Sequence, residues 1–186
     1  MAEEITLPDP ATRPEAPKLE NVTPQQKMPG QHLKMIHDHQ RRNMEVLRQI
    51  VLAARDGGLP EGGAEVALDK VGWVKNLRRF GALCGQHCQI VHMHHSIEDA
   101  HMFPALSQKA VAFRAVVQRL GEEHDAVHHL LMQLIDELNA LNANPSQQKF
   151  EAAVATNTRL EAFLLSHLGY EEDSIGDALG VFNIGV

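Results

Sequence analysis

Proline placement constrains this chain more than any other feature. Nine prolines occur in 186 residues, and six of them fall between Pro8 and Pro29. Proline lacks an amide N–H and its ring collides with the preceding turn, so such a segment resists helix and central strand alike. The same segment carries many Glu, Lys, Thr and Gln and few large apolar side chains. Residues 1–30 are therefore expected to form an extended arm, disordered or laid along a domain surface. Beyond Gln31 only Pro60, Pro104 and Pro145 remain, and the long stretches between them are free to be helical.

Periodicity fills those stretches. Leu33, His37, Met44, Leu47 and Val51 recur at helical spacing, which predicts a first helix over 31–55. Asp56-Gly57-Gly58-Leu59-Pro60-Glu61-Gly62-Gly63 is a strong stop. A second periodic segment covers 68–103 and is interrupted by Pro104. A third covers 111–141 and a fourth 150–179, with a turn at 142–146 whose Ser146 can cap the fourth. No strand-like alternation of useful length occurs. The expected fold is all-α, an up-down-up-down four-helix bundle over 31–180, with 181–186 as a short apolar tail.

Charge narrows the function classes. The chain has 24 acidic and 17 basic residues, a formal net charge of -7. An acidic chain without a basic stripe suits neither nucleic acid nor an anionic membrane surface. No apolar stretch approaches the ~20 residues of a bilayer span, and the first residues lack the apolar core of a secretory signal. Cys84 and Cys88 lie four apart, where a disulfide on one helix would be strained. Reduced cysteines suit a cytoplasmic location. A monomer or weak homo-oligomer is expected.

Twelve histidines stand against one Trp and one Tyr, a balance that points to metal binding or proton handling. Three pairs lie four apart: His94 with Glu98, His124 with His128, and His167 with Glu171. Residues at i and i+4 share a helix face, so three such pairs on three helices, with His37 on a fourth, can converge in a bundle interior. A lone His is more often a satisfied core group, and a lone Glu a solvated one. A buried carboxylate flanked by apolar residues, however, needs a partner. Imidazole plus carboxylate suits iron, manganese or zinc. Cys84, His87, Cys88 and His92 do not make a second, zinc-type site, because one helix cannot wrap four tetrahedral ligands.

The run His94-His95-Ser96-Ile97-Glu98-Asp99-Ala100-His101-Met102-Phe103-Pro104 resembles the HHxxED…FP signature of the hemerythrin-like (HHE cation-binding) family. Glu123-His124 and His167-Leu168-Gly169-Tyr170-Glu171-Glu172 resemble its signatures on the third and fourth helices. The resemblance covers about 31–179. It implies two non-haem iron ions, oxo- or hydroxo-bridged, held by His37, His94, His124, His128 and His167 and bridged by Glu98 and Glu171. His39 stands as an alternative to His37, and Glu172 as an alternative to Glu171. Two octahedral metals offer about twelve positions, and this set with one bridging oxygen fills about eleven. O2 or hydrogen peroxide would take the last.

Tyr170 could reach the same face as a phenolate, or pack with its hydroxyl hydrogen-bonded. His95, His101 and His129 adjoin the ligands and could orient them or carry protons. Three functions follow from the resemblance: a peroxide-consuming, catalase-like protein of oxidative-stress chemistry, a reversible O2 carrier or sensor, or an iron or redox regulator. The extra His and Tyr favour the first.

Overall fold

The computed structural model describes residues 6–56 and 66–186. The Gly-rich stop from Gly57 onward, residues 1–5 of the arm and the side chain of Val51 lie outside the described residues. Four long helical rods form the bundle: α1 (Pro24–Asp56), α2 (Val66–Ile97) continued through a π turn (Glu98–Met102) into α3 (Phe103–Lys109), α4 (Arg114–Ala143) and α5 (Gln147–Val181). Helix α1 packs on α2 and α5, and α4 packs on α5 and α2. Among the described residues there is no strand, and no helix is long and apolar enough to cross a membrane.

The arm is shorter than its prolines suggest. Helix α1 begins at Pro24, not at residue 31. Thr23 caps it: its Oγ1 accepts from the Gln26 N–H at 3.3 Å, and Gln26 Oε1 accepts from the Thr23 N–H at 3.0 Å. This reciprocal pair satisfies two otherwise orphaned donors. Pro24 then occupies the first helical position, where a missing N–H costs nothing. Pro29 lies inside the helix, so apolar packing along the rest of the rod outweighs one local penalty.

The second rod also outruns its expected end. Pro104 has no N–H for the carbonyl four residues earlier, and its ring would collide with that carbonyl. The ladder opens instead into a π turn, in which the Phe103 N–H bonds to the Glu98 carbonyl, and the rod resumes to Lys109. Helix α4 starts at Arg114, after a single 3-10 turn at Val111–Phe113.

At the far terminus Ser146 caps α5, its Oγ accepting from the Lys149 N–H at 3.3 Å. The apolar tail closes α5. Asn183 takes φ 53°, and the Ile184 N–H reaches back to the Leu179 carbonyl at 2.7 Å. That left-handed residue and the bond beside it terminate the helix and fold Ile184 into the core.

These longer ends bring the histidines level. His37 lies about 20 Å into α1, Glu98 about 16 Å before the end of α3, and His124 and Glu171 about 15 Å from their helix ends. A polar layer therefore crosses the bundle at one height. Two apolar clusters enclose it. On one side lie Met44, Leu47, Cys84, Cys88, Val91 and the inner faces of α4 and α5 down to Leu168. On the other lie Leu33, Phe103, Leu106, Phe113, Leu120, Ile175, Leu179 and Ile184.

A candidate metal centre

Each long rod sends histidine into the polar layer. His37 comes from α1, His94 and His95 from α2, His124 from α4, and His167 from α5, with Glu98 and Glu171 between them. His37, His95, Glu98, His124, His167 and Glu171 are buried, and the His94 side chain is 10% exposed.

The donor atoms fall into two groups, each with its atoms within 4.8 Å of one another: His95, His124 and His167 in one, and His37, His94, Glu98 and Glu171 in the other. The carboxylates span both. Glu98 Oε1 is 3.1 Å from His94 Nε2, and its Oε2 is 3.6 Å from His124 Nε2. Glu171 Oε2 is 3.6 Å from both His37 Nε2 and His167 Nε2. His37 Nε2 and His94 Nε2 approach to 2.9 Å, close to the spacing of neighbouring donors on one ion with bonds of about 2.1 Å.

Three of these rings are aimed from behind by carboxylates. His37 Nδ1–H donates to Glu172 at 2.9 Å, His124 Nδ1–H to Asp99 at 2.8 Å, and His167 Nδ1–H to Glu123 at 3.0 Å. A carboxylate can only accept, so each bond fixes the tautomer that leaves Nε2 with a lone pair. Arg41 anchors Glu172 at 2.7 Å.

A family model for the hemerythrin HHE cation-binding domain matches residues 28–179. The chain belongs to that family. No curated protein and no solved structure matches it. Domains of this family bind metal cations, and the donor set of this hemerythrin HHE domain fits one. His124 Nε2, His167 Nε2, both nitrogens of His95 and both oxygens of Glu98 and Glu171 are buried without a hydrogen-bond partner. Leaving so many polar atoms unpaired is costly unless an ion satisfies them.

Electrostatics agree. Burial, reinforced by neighbouring imidazoles, lowers His37 and His94 to about 3 and His95 well below its usual value. Burial also lowers His124, to about 4, against the pull of Asp99. These four imidazoles are thus neutral, the form that binds metal. Burial raises Glu171 to about 7, and burial with the charge of Glu171 raises Glu98 well above the carboxylate range. Glu123 behaves oppositely. Burial would raise it, but its bonds from His167 and Arg13 hold it down to about 2.

The structure brings together His37, His94, Glu98, His124, His167 and Glu171 as the spacing suggested. It does not bring in His128. That ring is half-buried, stands outside both groups, and meets His92 instead, with Nε2 3.3 Å from His92 Nδ1. His95 takes the place expected of it, stacked on His124 at 3.8 Å. Four residues of helix advance about 400°, leaving His128 some 40° off the His124 direction and about 6 Å further along.

Tyr170 turns away: its hydroxyl donates to the Pro14 carbonyl at 2.8 Å. His39, His101 and His129 are exposed. Glu172 lies behind His37, and Glu171 occupies the layer. The orienting roles of Asp99 and Glu123 escape a reading of spacing alone, although both stand next to a ligand candidate. No local pattern in the sequence signals Arg13 or Arg41.

Proposed function

We propose that this HHE domain holds two non-haem irons in the polar layer and consumes hydrogen peroxide there. The division of the donors carries the reading. One group offers three imidazoles and the other two, with Glu98 and Glu171 facing both. With one bridging oxygen, an ion held by the three imidazoles would have about six ligands, and an ion held by the two would have one position left for a small oxygen species. Bound there, iron supplies the Lewis acidity and electrons that O–O chemistry needs.

The chain supplies protons and exclusion. The apolar clusters on either side keep bulk water from the layer. Beside it, the His128 ring lies 5.5 Å from the His95 ring, and His128 Nε2 is 3.3 Å from exposed His92 Nδ1. Breaking an O–O bond requires protons at the leaving oxygen, and this imidazole pair at the edge of the layer is their source from the surface. Reversible O2 binding is the second reading. It is favoured by Tyr170, whose commitment to Pro14 leaves no phenolate to occupy the open position.

The test uses one preparation, loaded with Fe(II) without oxygen. Two irons per chain and O2 release on adding peroxide are expected. A His128→Ala chain should keep both irons and turn over peroxide more slowly. An absorption band that comes and goes with O2, without O2 release from peroxide, would refute peroxide consumption in favour of carriage. Fewer than two irons in the wild type would refute the di-iron centre.

A further inference from the structure

The arm packs Leu7, Ala16 and Leu19 against the bundle's apolar clusters, and its charged contact lies directly behind a ligand candidate. Arg13 Nε and Nη2 grip the two oxygens of Glu123 at 2.8 and 2.9 Å, and Nη1 donates to Ser166 Oγ at 2.9 Å. The guanidinium sits 4.7 Å over the Tyr170 ring, whose hydroxyl ties down the neighbouring Pro14. Arg119 completes the clasp, donating to Glu123 at 3.0 Å and to the Asp9 carbonyl and Thr12 Oγ1. The Arg13 side chain is 12% exposed and that of Glu123 is fully buried. The same Glu123 accepts the Nδ1–H of His167. A residue 110 positions upstream therefore lies two contacts from the polar layer.

We propose that Arg13 is a positioning residue of the centre, which acts through Glu123 on His167 and sets how strongly that imidazole donates to its metal. The inference rests on the reading that His167 binds iron. A carboxylate behind a ligating imidazole pulls on Nδ1–H and makes Nε2 a stronger donor. A bidentate guanidinium draws charge off that carboxylate, so Arg13 restrains the pull. Removing Arg13 makes Glu123 the stronger acceptor and removes a positive charge near the centre. Both effects favour the ferric state. Arg119 still pairs with Glu123 and keeps it ionised. Removing the Glu123 charge does the reverse. The two partners of one salt bridge thus shift the centre in opposite directions, which a purely structural role would not do.

The experiment compares the full-length wild type with Arg13→Gln, Arg13→Lys, Ser166→Ala and Glu123→Gln. Iron per chain and the Fe(III)/Fe(II) potential are read in the loaded protein. The His167 Nδ1–H proton resonance is read in the metal-free protein. Arg13→Gln should keep two irons, lower the potential and move the resonance downfield. Glu123→Gln should raise the potential and weaken iron binding about 10–100-fold. Arg13→Lys, which keeps the charge, should restore most of the wild-type potential. Ser166→Ala, which removes a bond but no charge, should leave the potential unchanged.

An unmoved resonance and potential in Arg13→Gln, or shifts of one sign in both Arg13→Gln and Glu123→Gln, would overturn the proposal. A wild type that takes up fewer than two irons sinks the di-iron reading instead, and the metal-free resonance still decides the role of Arg13.

Discussion

Helices α1 and α5 approach closely where two glycines meet, and alanine there should be costly in a way that can be worked out. A Cβ on Gly30 would lie 2.6 Å from the Gly176 carbonyl oxygen, 2.7 Å from its carbon and 2.9 Å from its Cα. All three are backbone atoms and cannot turn aside. Restoring ordinary contact requires the helices to part by about 0.5–1 Å, which also forfeits a quarter to a half of the dispersion well for the atoms around them. Alanine gains ~1 kcal/mol of helix propensity over glycine. Forcing one carbon into a packed interface costs ~1–3 kcal/mol, and the immobile neighbours put Gly30 at the upper end. The net is a loss of about 1–2 kcal/mol, or ~2–8 °C in Tm for a domain of this size.

The matched control is Gly121→Ala in α4, whose Cβ would meet nothing within 4 Å. Propensity then acts alone, and Tm should rise by ~2–4 °C. Calorimetry on the two variants reads opposite signs from one chemical change. Gly30→Ala should also bind iron more weakly, because α1 carries His37 while α5 carries His167 and Glu171. If Gly30→Ala melts at or above Gly121→Ala, the close crossing of α1 and α5 is wrong.

Three further outcomes are expected. His95→Ala should lose about half of the bound iron by elemental assay, since it removes one of three imidazoles from its group, and equal retention by His95→Ala and His128→Ala would contradict the arrangement. Chelation should leave the chain helical at 25 °C but lower Tm by ~8–16 °C against protein held at free iron ~1,000 times its Kd; a chelated chain that loses its circular dichroism would refute the independence of the two apolar clusters. Burial raises the Cys88 thiol to about 11 and Cys84 further, so neither should alkylate at pH 8 until the chain unfolds. Their shared sign means that stability is whole below the unfolded thiol value near 9 and falls as pH rises toward 11, which urea melts at pH 8 and 10.5 would show.

The four rods were legible because long apolar repeats survive small local irregularities. Their ends were not, because ends depend on single bonds. Thr23 and Gln26 start a helix that proline content argued against, and a π turn carries the second rod past Pro104. The layer itself was largely legible, since His37, His94, Glu98, His124, His167 and Glu171 all arrive in it. The i,i+4 rule allots one face to each pair and so puts His95 beside the ligands rather than among them. Adjacent residues diverge by about 100°, and His94 and His95 use that divergence to face α1 on one side and α4 with α5 on the other. Stacking of His95 on His124 is a tertiary fact that spacing does not encode. The grip of Arg13 on Glu123 is less visible still, since no local pattern links residues so far apart.

The position of the polar layer follows from how the apolar residues are divided. Each cluster draws on all four rods. Met44, Cys88, Leu130 and Leu164 do so on one side, and Leu33, Phe103, Leu120 and Ile175 on the other. Either cluster alone aligns the helices, so the layer between them inherits its register from two independent sources. That redundancy explains how the fold tolerates unpaired carboxyls and imidazoles at its centre. Donors on an isolated helix face would relax into solvent, whereas here the rods cannot rotate them out without breaking both clusters at once. The carboxylates behind His37, His124 and His167 then fix ring orientation, and they come from three different rods. The centre is thus preorganised by packing on either side and by hydrogen bonds from behind, and Arg13 of the arm adds a charged contact to those that Arg41 and Arg119 make from the helices.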